Sequence, residues 1–253
     1  MVGQEQYTRR TTARQPGARA RGAEKPGKRA HGVSDMVNGI DVSAYQPDVS
    51  FGTVHDAGFS FVYIKATEST GYASSTFAAQ WQGAGAAGML RGGYHYFDFN
   101  ADPAAQAAFF LSVCAPAHGA LPPMVDLEQT DGVPSPAQNV ASLATFVEAV
   151  EKATGVRCVL YVDYPCWSGT LGGTTGFSGH PFWAPSYLQG VVKPPPGAGV
   201  PPIMQPPPPQ ITAWSNWTFW QYSQSGSVAG VSGSVDLDVF NGTLAQLQAL
   251  CQR

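Results

Sequence analysis

At 253 residues the chain suits one large domain or two small ones, and only 12% of it is charged, about half the share usual in soluble domains. No apolar run approaches the ~20 residues of a membrane span, so a spanning helix is not expected. The net charge of −3 hides an asymmetry: residues 1–36 hold eight of the Lys/Arg against three acids, and the remainder holds six against fourteen.

Residues 1–36 are poor in apolar side chains and rich in Arg, Gly, Ala and Pro, the composition of a disordered basic tail. The tail reads as a solvated extension, or as a segment drawn to an anionic surface such as a wall polymer or nucleic acid. Arg9-Arg10 is not followed by an apolar h-region, so a twin-arginine export signal is rejected.

From residue 37 onward apolar β-rich runs alternate with helical ones. Asn38 to Ser43 reads as a first strand and Phe51 to Gly58 as a short helix. Phe59 to Ala66 is a second strand whose mostly apolar run suits burial on both faces, as in parallel sheets. Thr76 to Ala87 is a helix stopped by Gly88, and Arg91 to Phe97 a third strand. Pro103 to Cys114 is a helix with Pro in its first turn, Pro122 to Glu128 a fourth strand, and Pro136 to Thr154 an amphipathic helix closed by Gly155. Arg157 to Val162 is a fifth strand. Beyond it the alternation weakens: Phe182 to Tyr187, Trp217 to Tyr222 and Ser234 to Val239 read as strands without good helices between them, before a final helix from Thr243 to Cys251. Five β/α units and three further strands make eight, the number that closes a small barrel. Pro194 to Pro209 fits neither helix nor central strand and reads as a polyproline-like surface loop. Cys114, Cys158, Cys166 and Cys251 lack the paired short spacings of a zinc site. They read as buried thiols, with one or two disulfides as the alternative.

The segment Met124 to Gln129 carries the chemistry. Side chains alternate along a strand, so Asp126 and Glu128 share a face with Leu127 opposite. Two acids on one face, with few cations nearby, repel as anions, and one should hold its proton near neutral pH. A protonated acid beside an ionised one is the equipment for cleaving a glycosidic bond. Strand ends of a parallel barrel converge on one mouth. Asp41 falls at such an end on the first strand, as do Asp126 and Glu128 on the fourth and Asp236 and Asp238 on the last. Tyr94, His95, Tyr96, Phe97, Trp183, Tyr187, Trp220 and Tyr222 cluster at further ends. Acids among aromatic faces suit a carbohydrate cleft, because sugars stack on rings and offer hydroxyls to carboxylates.

These residues resemble glycoside hydrolase family 25, the Chalaropsis-type lysozymes or N-acetylmuramidases. Gly39-Ile40-Asp41-Val42-Ser43-Ala44-Tyr45-Gln46 resembles that family's opening. Ile64-Lys65-Ala66-Thr67-Glu68, Gly93-Tyr94-His95-Tyr96, Pro122 to Glu128, Phe219-Trp220-Gln221-Tyr222 and Gly230 to Asp238 follow in the family's order. The resemblance implies an irregular TIM-like (β/α)5(β)3 barrel over residues 37–253, hydrolysing the β-1,4 bond from N-acetylmuramic acid to N-acetylglucosamine. It implies Glu128 as general acid, with Asp126, Asp41 and Asp236 as acidic partners. Tyr94, Tyr45, Lys65, Trp183, Tyr187, Trp220 and Asp238 would bind substrate. No metal or other cofactor is expected, and the implied partner is the peptidoglycan glycan strand, met by a monomer outside the cell or at the wall rather than by a nucleic-acid binder. Three departures from the family pattern stand out: Ser69 where Gly is usual, Pro185 in the sixth-strand motif, and the Pro-rich stretch after it.

Same-face neighbours on one strand have Cα atoms ~6.5–7 Å apart. Both acids therefore approach one side of the sugar, which favours attack by the substrate's own 2-acetamido group over activation of water from the opposite face. A non-catalytic barrel that binds wall polysaccharide is the rival reading, and retention of Asp126, Glu128 and Asp236 together argues against it. A metal-dependent hydrolase is poorer still, because His95 is the only histidine in any of the motifs.

Overall fold

The computed structural model describes residues 36–187 and 211–252. The basic tail, except for Met36, and the Pro-rich loop lie outside the described residues. The chain runs through β1 (Met36–Val42), α1 (Phe51–Asp56), β2 (Phe61–Glu68), β3 (Tyr72–Ala73), α2 (Phe77–Ala86), β4 (Leu90–Tyr96), α3 (Pro103–Val113), β5 (Met124–Leu127) and α4 (Pro136–Thr154). It continues through β6 (Val159–Val162), β7 (Phe182–Pro185), β8 (Phe219–Gly226), β9 (Val235–Asn241) and α5 (Leu244–Ala249). The strand order β1-β9-β8-β7-β6-β5-β4-β2 closes through a β1–β2 pairing into an eight-stranded barrel. The two-residue β3 adds only a hairpin edge on β2.

The expected barrel is therefore present, with two features that the alternation of apolar runs did not reveal. Every neighbouring pair from β1 through β2 and β4 to β8 is parallel, but β9 runs antiparallel to both β8 and β1. After β6, where a fifth helix would complete the unit, the chain makes a single π-helical turn over Cys166–Thr170.

Apolar side chains divide between two cores, as alternation requires. Outside the barrel, Ile40, Val62, Ile64, Val125, Leu127, Leu160, Val162 and Val235, Leu237 and Val239 of β9 pack against the helices. Inside it, Phe61, Tyr63, Met124, Val159, Trp183, Phe219 and Phe240 fill the lower barrel. Trp183 stacks on Phe219 at 5.0 Å and meets the edge of Tyr63 at 4.9 Å. Glycine makes room for these rings. A Cβ on Gly39 would lie 2.2 Å from the Phe61 ring, and one on Gly92 2.5 Å from Tyr63. The helices are ended by local chemistry: Asp102 caps α3 by accepting from the Ala105 N–H, and Gly155 closes α4 at φ 72°. All four cysteines are free thiols, so neither of the possible disulfides forms.

Candidate active site

The carboxyl end of the parallel strands forms a mouth floored by the inner aromatic core. Asp41 sits near the end of β1, and Asp126 is the last inward-facing residue of β5. Glu128 follows one residue beyond β5 and reaches the rim with exposed surface, so the pair shares a side without sharing a strand. Leu127 between them is buried in the outer core, as the alternation predicts. Asp236 reaches the same mouth by another route. It is the second residue of antiparallel β9, opposite Asp41 in the β1–β9 ladder, so it lies at the start of its strand and not at the end.

Each of these acids is held above its ordinary range. Burial is the first cause for Asp41, followed by the facing charge of Asp236; Gln221 opposes the shift. For Asp126 burial again leads, followed by Glu128 and Asp41, with Lys65 opposing. Its Oδ1 is buried without a hydrogen-bond partner among the described residues. Glu128 leans its carboxyl into the mouth, where burial raises it; the Tyr161 hydroxyl and Lys65 oppose, while Asp163 adds to the rise. Asp236 is pushed up to about 6, first by burial. Asp41, Asp126 and Asp236 on three strands, with Glu128 just beyond β5, thus retain protons at a pH where isolated carboxylates would not, because a partly dry mouth disfavours accumulated negative charge.

Gln221, which sequence reasoning left without a role, joins this cluster. It lies inside the barrel on β8, where its Nε2 donates to Asp41 Oδ2 at 2.7 Å. Its Oε1 accepts from the Tyr161 hydroxyl at 2.9 Å and from the Tyr187 hydroxyl at 3.0 Å. The signal that finds it is alternation: with Trp220 and Tyr222 in the outer core, the glutamine between them must point inward. Tyr161 follows from the same rule on β6.

Lys65 stands at the mouth, paired with Glu68 at 2.7 Å, its ammonium over the rings of Tyr96 and Tyr72. A register shift between Lys65 and Thr67 in the β2–β4 ladder is the cause: one extra residue lets side chains three apart meet on one side. Tyr94 is buried just below the acids, and Tyr45 is 92% exposed beside the β1 end. Tyr187 is half exposed at the rim.

Three expected substrate contacts are corrected by the structure. Trp220 belongs to the outer core with 1% exposure, and its indole N–H donates to the Ser186 carbonyl at 2.7 Å. Trp183 does point inward, but at 0% exposure it supports the floor from beneath and offers no face to a sugar. Asp238 shares the inward face with Asp236, one alternation deeper, and is also fully buried, both oxygens lacking partners among the described residues. Burial, with Asp41 and Asp236 next, holds its carboxyl well above the usual range. His95 and Phe97, placed with the aromatic strand ends, face outward. The His95 ring stacks on Phe146 at 4.8 Å, between Thr67 Oγ1 at 2.7 Å and Gln106 Oε1 at 3.1 Å, and burial lowers it to about 4. Among the described residues no cluster of His, Cys, Asp and Glu could hold a metal ion.

A closed barrel with acids from β1, β5 and β9 over an aromatic floor defines a glycosidase-like architecture, and comparison with known proteins gives the family. Residues 40–231 match the model of "Glycosyl hydrolases family 25", and the chain belongs to that family. It is 36% identical over 237 residues to "Lysozyme M1" of Streptomyces globisporus, covering 89% of this chain and 75% of that one. It is 33% identical over 221 residues to the "N,O-diacetylmuramidase" of a Chalaropsis species, covering 79% of this chain and 96% of the relative. Among solved structures, the bacterial lysozyme from Streptomyces coelicolor superposes with a TM-score of 0.73 at 36% identity, over 85% of this chain and 96% of the other.

Proposed function

We propose that the protein is a lysozyme-type muramidase acting on the β-1,4 bond between N-acetylmuramic acid and N-acetylglucosamine in peptidoglycan. Family membership and the lysozyme and muramidase names of its relatives support the reaction class. The observation that carries the site assignment is the convergence of Asp41, Asp126, Glu128 and Asp236 on one mouth with their proton affinities raised.

Glu128, at the rim, is the general acid: it reaches substrate without leaving the barrel and retains a proton to give to the departing oxygen. Asp126 lies one alternation deeper with an unpartnered oxygen. A substrate acetamido N–H would satisfy it, and that bond would orient the acetamido oxygen towards the anomeric carbon. Asp41 and Asp236, facing each other across β1 and β9, share the remaining charge and keep the cationic transition state next to anions. Tyr45, Tyr94, Tyr187 and Lys65 border the mouth as sugar contacts. Action on such a substrate places the enzyme at the cell wall, with residues 1–36 as a basic segment that assists attachment to anionic polymer.

The test is release of reducing sugar from purified peptidoglycan by the wild type, undiminished by a chelator, and its loss in Glu128→Gln. A folded Glu128→Gln protein with wild-type activity would remove Glu128 from the role. Wild-type binding without release of sugar would favour a carbohydrate-binding barrel.

A further inference from the structure

Gln46 closes a tight turn just beyond β1. Ser43 to Gln46 form that turn, with the Gln46 N–H donating to the Ser43 carbonyl at 3.2 Å. The Gln46 side chain folds back onto the start of the turn, where its Oε1 accepts from the Ser43 N–H at 3.0 Å. Its Nε2 donates across the barrel seam to the Ser234 carbonyl at 3.0 Å. The β1–β9 ladder pairs Asp41 with Asp236, so the next pair on the same face is Ser43 with Ser234. The Gln46 amide stands between these two, bridging N–H to C=O where a continued ladder would join backbone to backbone. Both partners are backbone groups with fixed roles, one a donor and one an acceptor. The amide therefore has one orientation, whatever the charge on the acids of the mouth.

The rest of the turn is held from α2. Gln80, which is buried, gives its Nε2 hydrogens to the carbonyls of Ser43 and Gln46 at 3.0 and 2.8 Å. The Tyr45 N–H donates to Ser43 Oγ at 3.2 Å. What this secured backbone presents is the Tyr45 ring, the most exposed large apolar side chain among the described residues. A ring without cover adds little to the fold, but a fixed aromatic face loses little entropy when a sugar stacks on it. We propose that Gln46 is a positioning residue for substrate binding: by bridging β1 and β9 next to Asp41 and Asp236, it fixes the Ser43–Gln46 turn and with it the place of the Tyr45 ring at the mouth. The inference rests on Tyr45 being a sugar contact.

The experiment is steady-state kinetics on soluble peptidoglycan fragments for Gln46→Met, Tyr45→Ala and the double variant, with folding checked by circular dichroism. Gln46→Met keeps the length of the side chain but bridges neither backbone group. KM should rise about two- to tenfold, the worth of one side chain that must be ordered on binding, while kcat stays within about twofold. Tyr45→Ala should raise KM at least as much. Adding Gln46→Met to it should change KM no further, because the glutamine acts through that ring. A glutamine with only a structural role would lower Tm in both backgrounds and show no such dependence in KM. Should Gln46→Met not fold, Gln46→Asn retains an amide one methylene too short to span both groups, and the same rise in KM is expected. An unchanged KM in the folded variant, a loss carried by kcat instead, or a rise in KM that persists in the Tyr45→Ala background would overturn the proposal. Tyr45→Ala alone separates the two failures. An unchanged KM there removes the ring as a sugar contact, and the role of Gln46 falls with it. A raised KM there, with an unchanged KM in Gln46→Met, removes only the role of Gln46.

Discussion

Asp126 and Glu128 differ by one methylene and two positions, yet their surroundings assign them different work. Asp126 is buried with an unsatisfied oxygen, and Glu128 stands at the rim beside solvent. Glu128→Gln keeps the shape but cannot donate a proton, so hydrolysis should fall ~10²–10⁴-fold with the circular dichroism spectrum unchanged. Asp126 and Glu128 repel, a repulsion that raises Asp126, so Asp126→Asn removes one of the coupled acids and the falling limb of its residual activity should move to lower pH. A limb that stays in place would show that something other than this carboxylate sets the proton affinity of the acid. The wild-type profile should be a bell with a mildly acidic optimum, and both limbs belong to the coupled acids rather than to one residue. Asp238 makes a separate prediction about stability. Its proton affinity is raised on folding, so the native state binds more protons than the unfolded chain, and stability falls as pH climbs from the unfolded value towards the folded one. Asp238→Asn removes that loss, and the difference in Tm between acidic and neutral buffer should narrow. An unchanged difference would mean that Asp238 is ionised in the native barrel.

At the scale of elements, the antiparallel β9 places Asp236 and the register shift in β2 sets Lys65 beside Glu68, and neither was legible in the chain. Val235, Leu237 and Val239 alternate with Asp236 and Asp238 in the same way whichever direction the strand runs. The inward face was therefore readable, while the end bearing Asp236 was not. Only closure against β1, with Asp41 opposite Asp236, fixes the direction. Trp220 was misplaced for a related reason: an aromatic at a strand end looks the same facing the mouth or the helices until the phase of its neighbours is applied. Gly39 shows the converse, a residue whose role appears only in packing. A methyl group there would strike the buried Phe61 ring, and Gly39→Ala should cost about 1–3 kcal/mol, read as a fall in Tm. A variant as stable as the wild type would mean that the inner core yields at that point.

For the whole molecule, closure gathers acids that lie up to 197 residues apart in the chain, from Asp41 to Asp238, around one axis. The barrel class, its single domain and the Asp126–Glu128 pair were legible, because each rests on local alternation or on motif order. Gln221 was not, because its meaning depends on β1, β6 and the residues after β7 meeting at β8. Residues 1–35 hold a concentrated positive charge. Their deletion should leave hydrolysis of soluble oligosaccharide unchanged while weakening attachment to anionic walls, as measured by sedimentation with wall fragments. Loss of activity on the soluble substrate would place the tail within the active fold. The central claim is the identity of the bond. Digestion of defined peptidoglycan, followed by reduction and mass analysis of the new ends, should give N-acetylmuramic acid at every new reducing terminus. N-acetylglucosamine termini would contradict the account.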